Sequence, residues 1–367
     1  MLCCRGHRQD VLVQLLCSGL DVDSSMSVTR RESLRLFGSA VAMTVVPSDN
    51  RRHDSSSAEN TLDRTRLLQL LGAVPRAAPP LAEERVERTD LGDVVREKVT
   101  YAVEPGERVP AFVLLPKAGP ARHPAILCHH QHGGQFQVGK DGPAGLVSDS
   151  NQHYALELAR RGYVTIVFDA LCFNERQDAT GKLKDSNYER YEAMYRITEG
   201  KSLQGKYVWD ARRALDYLET RPEVDASRLG MIGHSLGGQE TLLTTALDTR
   251  IRAAASSCGF GSLRTLKRDH INHNYALFVP GLANNGDYGA VLALVAPRPF
   301  FVAARMEDPI FPRDGIEETV AAARRAYAAA GVADRLGTFF EPGAHAFSQA
   351  MREAAYAWLD QWFAPAK

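Results

Sequence analysis

The chain has 367 residues, with 44 lysines and arginines against 44 aspartates and glutamates, so its formal net charge is zero. A balanced chain has no long-range field to hold a phosphate backbone, which argues against nucleic acid as a partner. At 44% hydrophobic and 24% charged residues the composition is that of a globular protein, and no stretch approaches the roughly 18 uninterrupted apolar residues of a membrane-spanning helix.

Residues 1–60 do not read as part of a fold. The first 25 have no clear period and end at a polar break. Met26 then opens a segment in which Arg30 and Arg31 precede a short apolar run, Phe37 to Val46. That pattern resembles a twin-arginine export signal. Two expectations for localisation follow: a cytoplasmic protein with a disordered leader, or an exported one whose true start is Met26. Residues 47–60 are polar and serine-rich, the composition of a linker.

The fold is expected over 61–367, opening with a short helical segment within 61–93. Leu62, Leu67, Leu68, Leu70 and Leu71 predict a helix stopped by Gly72 and packed on the outside of the main domain. Residues 94–103 and 109–115, separated by Glu104-Pro105-Gly106-Glu107, predict a hairpin. A strand follows at 124–128, a helix at 154–161 and a strand at 163–168. Further on come a helix at 203–220, a strand at 229–232, a helix at 236–246 and a strand at 251–257. The chain closes with strands at 299–304 and 337–340, each followed by a helix, at 316–330 and 347–363. Apolar strands alternating with helices predict an α/β fold with a mostly parallel central sheet and helices on both faces. Two long connections, 171–200 and 260–298, follow the C-terminal ends of strands and are expected to form a small lid or pocket wall.

Six cysteines supply no disulfide framework and no C-x-x-C zinc spacing; Cys128 and Cys258, inside apolar runs, read as buried packing. The chemistry concentrates at Gly233-His234-Ser235-Leu236-Gly237, a G-x-S-x-G sequence between an apolar strand and an apolar helix. There the serine sits on a sharp turn, and the next amide, Leu236 N–H, opens a helix and can face an oxyanion. A serine needs a base, and the base a carboxylate. Asp308 follows the strand at 299–304, with Glu307 as its neighbour and competitor. His345 follows the last strand, and so emerges on the same sheet edge as Ser235. The loop His129-His130-Gln131-His132-Gly133-Gly134 occupies the place of a second oxyanion donor, from the backbone of Gln131 or His132. Its histidines lack metal-ligand spacing, so no metal and no cofactor are expected.

These residues resemble the α/β-hydrolase superfamily, and within it the dienelactone-hydrolase and acetylxylan-esterase-like group. The resemblance rests on GHSLGG at 233–238, APRPFFVAARMEDPIFP at 296–312, PGAHAF at 342–347 and the hairpin turn at 104–110. It implies an α/β-hydrolase fold, with Ser235 as nucleophile, Asp308 as acid and His345 as base. Dienelactone hydrolases use a cysteine nucleophile; serine at 235 instead implies a carboxylic ester hydrolase acting on a small-molecule ester through an acyl-enzyme. The rivals are a peptidase of prolyl-oligopeptidase type and a catalytically inactive hydrolase fold that binds a ligand. Tyr188, Tyr191, Tyr195 and Trp209 read as ordinary packing or as the lining of an apolar pocket, packing being the commoner role of such residues, and Arg176 as an anion contact or a surface ion pair.

Overall fold

A computed structural model describes residues 62–72 and 77–363, which fall within one unit of the chain, Ser57–Lys367. The expected leader, linker and export signal lie outside the described residues. The first helix, α1 (Arg64–Leu71), is capped by Asp63, whose carboxylate accepts the Arg66 N–H at 2.6 Å, and ends at left-handed Gly72. Its Leu67 and Leu71 are fully buried in the main core. Arg64 fastens it by donating to the carbonyls of Ala246 and Leu294 at 2.9 and 2.8 Å.

The 61–93 segment is not only helical, because Glu84–Asp90 forms a strand, β1. This edge strand is almost wholly exposed and its sequence, ERVERTD, has a single apolar residue. Backbone pairing with β2 (Val94–Glu104) makes it a strand, helped by Arg85 on the buried Glu97 at 3.1 Å. A β-turn then leads into β3 (Glu107–Pro116), as the hairpin signal predicts. Next come β4 (His123–His129), α2 (Tyr154–Arg160) and β5 (Val164–Phe168). The connection at 171–200 carries a helix, α3 (Asp185–Thr198), ahead of α4 (Leu203–Thr220). The chain continues through β6 (Val224–His234), α5 (Leu236–Leu247) and β7 (Ile251–Ser257). The connection at 260–298 carries two short helices, α6 (Leu263–Arg268) and α7 (Asp287–Ala293). Last come β8 (Phe300–Arg305), α8 (Arg313–Ala329), β9 (Leu336–Glu341) and α9 (Gln349–Phe363).

The strands form one sheet in the order β1-β2-β3-β5-β4-β6-β7-β8-β9, antiparallel at the β1–β3 end and parallel from β5 onward. Alternate residues of each strand feed opposite faces. Ala125 and Leu127 join the layer under α1, α4, α5, α7 and α8, whereas Ile126 and Cys128 join the layer under α2 and α9. This is the expected α/β-hydrolase architecture, with helices on both faces of a mostly parallel sheet.

Truncating Leu67 to Ala should lower the unfolding free energy by about 2–5 kcal/mol in urea titration, since it opens a cavity under α1. A loss below about 1 kcal/mol would mean that α1 is not part of the core.

Candidate active site

β6 ends at His234 and α5 begins at Leu236, so Ser235 alone makes the turn between them, with φ 56° and ψ −119°. A left-handed backbone at a non-glycine residue is strained and needs surrounding structure to hold it. The Ser235 N–H donates to the Ser257 carbonyl at 2.8 Å, tying the turn to the end of β7. A Cβ at Gly237 would overlap the His129 carbonyl oxygen at the end of β4, and one at Gly233 would overlap the Gly237 backbone. Both glycines are therefore required by close approach. Leu236 is the first helical residue, so its N–H lies ahead of the intrahelical ladder.

Asp308 and His345 come from loops after β8 and β9. The His345 Nδ1 lies 2.6 Å from the Asp308 Oδ2. Asp308 is buried, and its other oxygen accepts the N–H groups of Ile310 and Phe311 at 2.9 and 3.2 Å. Those two bonds aim the carboxylate. Glu307, the competing acid, is exposed and its side chain stays out of this arrangement. The His345 ring also packs against His234 at 4.9 Å.

Ser235 and His345 together line two lobes of one cleft. The first, about 240 Å³, is walled by Gln131, Gln135, Asp149 and Asn151 among others. The second, about 220 Å³, is walled by His132, His273, Asn274 and Ile310 among others. The 131–134 loop contributes to both lobes, and neither the Gln131 nor the His132 N–H donates to a carbonyl among the described residues.

The histidines of this loop have other duties. The His129 ring contacts the His130 carbonyl, and the His130 Nε2 accepts the Ala170 N–H at 3.1 Å. Burial pushes the His129 pKa down to about 4 and that of His130 well below its usual value. The His132 Nδ1 accepts the Gly134 N–H, so its Nε2 donates to Glu189 at 3.0 Å. Glu189, buried on α3, also accepts the Tyr275 N–H at 3.3 Å. Among the described residues, Cys258, Asp308 and His345 bring three ligand-type atoms within 4.8 Å of one another. Burial pushes the Cys258 thiol up to about 12, so it is a protonated and poor ligand.

Other expectations are corrected here. Arg176 is not a surface group: it is buried, 2.8 Å from Asp210 and paired with Glu107. Tyr191 and Tyr195 are exposed on α3, Tyr188 lines a different hollow, and Trp209 donates to the Val103 carbonyl. None of these aromatics lines either lobe beside Ser235. The residues that sequence reasoning left aside are His273, Asn274 and Glu189. The one available signal was the placement of a His-Asn pair after the C-terminal end of β7.

Behind the cleft, Asn274 reaches Gln239 at 3.5 Å, Gln239 bonds Gln204, and Gln204 bonds the buried Glu240. Burial raises the Glu240 pKa to about 8, while Thr244 and Gln204 oppose the shift.

The family model described as "Abhydrolase family" matches residues 58–345. The chain is 28% identical over 305 residues to the Bacillus subtilis protein YtaP, covering 82% of this chain and 98% of that one. A glucuronoyl esterase from Solibacter usitatus superposes with a TM-score of 0.63 at 21% identity, over 82% of this chain and 92% of the other. An acetyl xylan esterase from Paenibacillus sp. R4 gives 0.56 at 16% identity, over 82% and 93%. At these identities the likeness is one of fold.

Two outcomes check the site's packing and electrostatics. Gly237→Ala should destabilise by about 1–3 kcal/mol, read from the denaturation midpoint, because the added methyl meets backbone that cannot yield. Glu240 holds a proton in the folded state up to about pH 8, whereas in the unfolded chain it loses it near 4.3. Its contribution is therefore complete below that lower value and is lost as pH rises through the window. Glu240→Gln should gain roughly 3 kcal/mol relative to wild type between pH 5 and 7. A flat difference would show that Glu240 is ionised in the fold.

Proposed function

We propose that this chain, which belongs to the Abhydrolase family, is a serine hydrolase of carboxylic esters that works through Ser235, His345 and Asp308 and needs no cofactor. The observation that carries the reading is the 2.6 Å contact of His345 with Asp308, at the wall of a cleft that the strained Ser235 shares.

The Asp308 carboxylate holds the His345 proton on Nδ1, leaving Nε2 as the base. His345 takes the Ser235 hydroxyl proton as Oγ attacks the ester carbonyl. The carbonyl oxygen becomes an oxyanion facing the Leu236 N–H and an N–H of Gln131 or His132. Each such donor is worth roughly 3 kcal/mol. His345 passes its proton to the departing alkoxide, and the acyl group stays on Ser235. Water, losing a proton to His345, then releases the acid.

Neither lobe is lined by lysine or arginine, so a neutral ester suits the cleft better than an anionic one. Gln135, Asp149 and Asn151 offer partners for hydroxyl groups on the substrate. The names of the two esterases of like fold refer to sugar-linked esters, a class that these side chains could accommodate.

Ser235→Ala and His345→Ala should each lower kcat/KM on a short activated ester by several powers of ten, and Asp308→Asn by about 10²–10⁴. Wild type, and not Ser235→Ala, should label with a fluorophosphonate. Short acyl esters assayed beside aminoacyl anilides separate the esterase reading from the peptidase one. A Ser235→Ala protein that kept the wild-type rate would overturn the mechanism.

A further inference from the structure

His129 and His130 take no part in the proton transfers above, yet both are buried where β4 gives way to the 131–134 loop. Their rings stack with centroids 5.1 Å apart, and Phe168 and Phe173 pack edge-on against them. Each ring meets the carbonyl of the residue that follows it. The His129 Nδ1 lies 3.1 Å from the His130 oxygen, and the His130 Nδ1 lies 2.9 Å from the Gln131 oxygen. A carbonyl oxygen only accepts, so each Nδ1 carries the ring proton and donates it. The His130 Nε2 agrees with that assignment, since it accepts the Ala170 N–H at 3.1 Å. Burial keeps a second proton off both rings near neutral pH, with His129 pushed down to about 4 and His130 well below its usual value.

These two bonds fix two successive peptide planes. No backbone N–H among the described residues donates to the His130 or the Gln131 carbonyl, so the imidazoles are what hold them. A trans peptide carries its N–H opposite its carbonyl, and among the described residues only the Ala296-Pro297 bond is cis. Both carbonyls turn towards the buried pair of rings, so the Gln131 and His132 N–H groups turn away from it. Away from the rings lies the cleft: Gln131 and His132 are half-buried, and each lines a lobe that Ser235 lines as well. Without the ring donors either peptide could rotate and present its carbonyl, the wrong end of the dipole for an oxyanion.

We propose that His129 and His130 are positioning residues of the oxyanion site, each holding one peptide by its carbonyl so that the N–H of Gln131 or His132 stays turned to the oxygen of the ester that Ser235 attacks. The inference rests on the ester-hydrolase reading of the cleft. Donors fixed in advance need no reorganisation as charge develops, which is what makes such a site effective.

The test replaces each imidazole with a ring of similar shape that cannot donate, and with a short amide that can. His129→Phe, His130→Phe, His129→Asn and His130→Asn are assayed on para-nitrophenyl acetate. A trifluoromethyl ketone serves as inhibitor, because its addition to Ser235 places an oxyanion in the same site. An interaction made only in the transition state lowers kcat and kcat/KM together. At least one Phe variant should therefore lose about 10²-fold in kcat with KM unchanged, close to the loss of one oxyanion donor. Inhibition by the ketone should weaken by a similar factor. Asn at the same position, whose amide nitrogen stands near the place of Nδ1, should restore most of both. The position that responds identifies the donor: His129 for the Gln131 N–H, His130 for the His132 N–H. Wild-type kcat in both Phe variants overturns the proposal, as does a loss that the Asn variants leave in full. Nitrogen-15 shifts of the wild-type rings need no variant to fold: protons on both Nδ1 atoms are expected, and protons on both Nε2 atoms overturn it. A Ser235→Ala control separates the two readings. If that variant is inactive and both Phe variants keep the wild-type kcat, only the positioning role falls; if it stays active, the ester-hydrolase reading itself falls.

Discussion

The turn at Ser235 is the constraint to which the rest of the cleft is fitted. A non-glycine residue in left-handed backbone costs on the order of 1–3 kcal/mol, so something else must hold it. Three strands do so: β6 runs into the turn, β7 accepts the Ser235 N–H through Ser257, and the last carbonyl of β4 presses on Gly237. That same His129 carbonyl accepts the Tyr154 hydroxyl from α2 at 2.6 Å, so both faces of the sheet meet at one point. Burial of Leu242 and Leu243 along α5 offsets the strain. The consequence is positional: Ser235 is set at the end of β6, in the cleft wall, with the first N–H of α5 directly after it.

The long connections are attached to this centre by apolar packing, through residues such as Phe173, Leu277 and Val291, and also by buried charged and polar groups. Lys206 and Asp210 of α4 pair with each other and with Glu104, Glu107 and Arg176, joining the β2–β3 hairpin to the start of the 171–200 connection. Lys140 similarly bonds the buried Asp169 at 2.9 Å. Such pairs add little net stability, because desolvation nearly cancels attraction, but breaking one partner leaves a buried charge exposed to the low-dielectric interior. They therefore fix geometry. Glu189 extends the scheme into the cleft, since one carboxylate holds both the 131–134 loop and the segment that carries His273.

This division explains what could be read from the sequence. Central strands such as Val164–Phe168 and Ile251–Ser257 are buried on both faces, so they appear as unbroken apolar runs, and the Ser235 elbow announces itself by its glycines. β1 was illegible because an exposed edge strand needs only backbone partners, and ERVERTD carries no alternation of apolar residues. α3 lay hidden for a related reason: few of its residues are buried, so it shows no apolar stripe. Arg176 was misplaced because its partners, Glu107 and Asp210, are distant in sequence. His273 could be seen as a histidine in an insertion, but its tautomer depends on the Asn274 amide, fixed by the Leu277 N–H, which no linear pattern records.

The burial of histidines around Ser235 has an electrostatic consequence. In the proposed mechanism His345 becomes an imidazolium, and His234 packs 4.9 Å from it. Were His234 also charged, the repulsion at an effective dielectric of 20 would be roughly 3 kcal/mol, about a hundredfold in rate. Burial, with His345 nearby, holds the His234 pKa well below the usual histidine value, so that penalty does not arise near neutral pH. His129, His130 and His273 are kept uncharged in the same way. His234 is buried because it is the last residue of β6, lying between the elbow and Phe347, whose ring stacks on it at 5.5 Å. The close packing that strains Ser235 thus also keeps the His234 ring neutral, so that in the proposed mechanism the ring of His345, held by Asp308, gains its charge beside an uncharged neighbour.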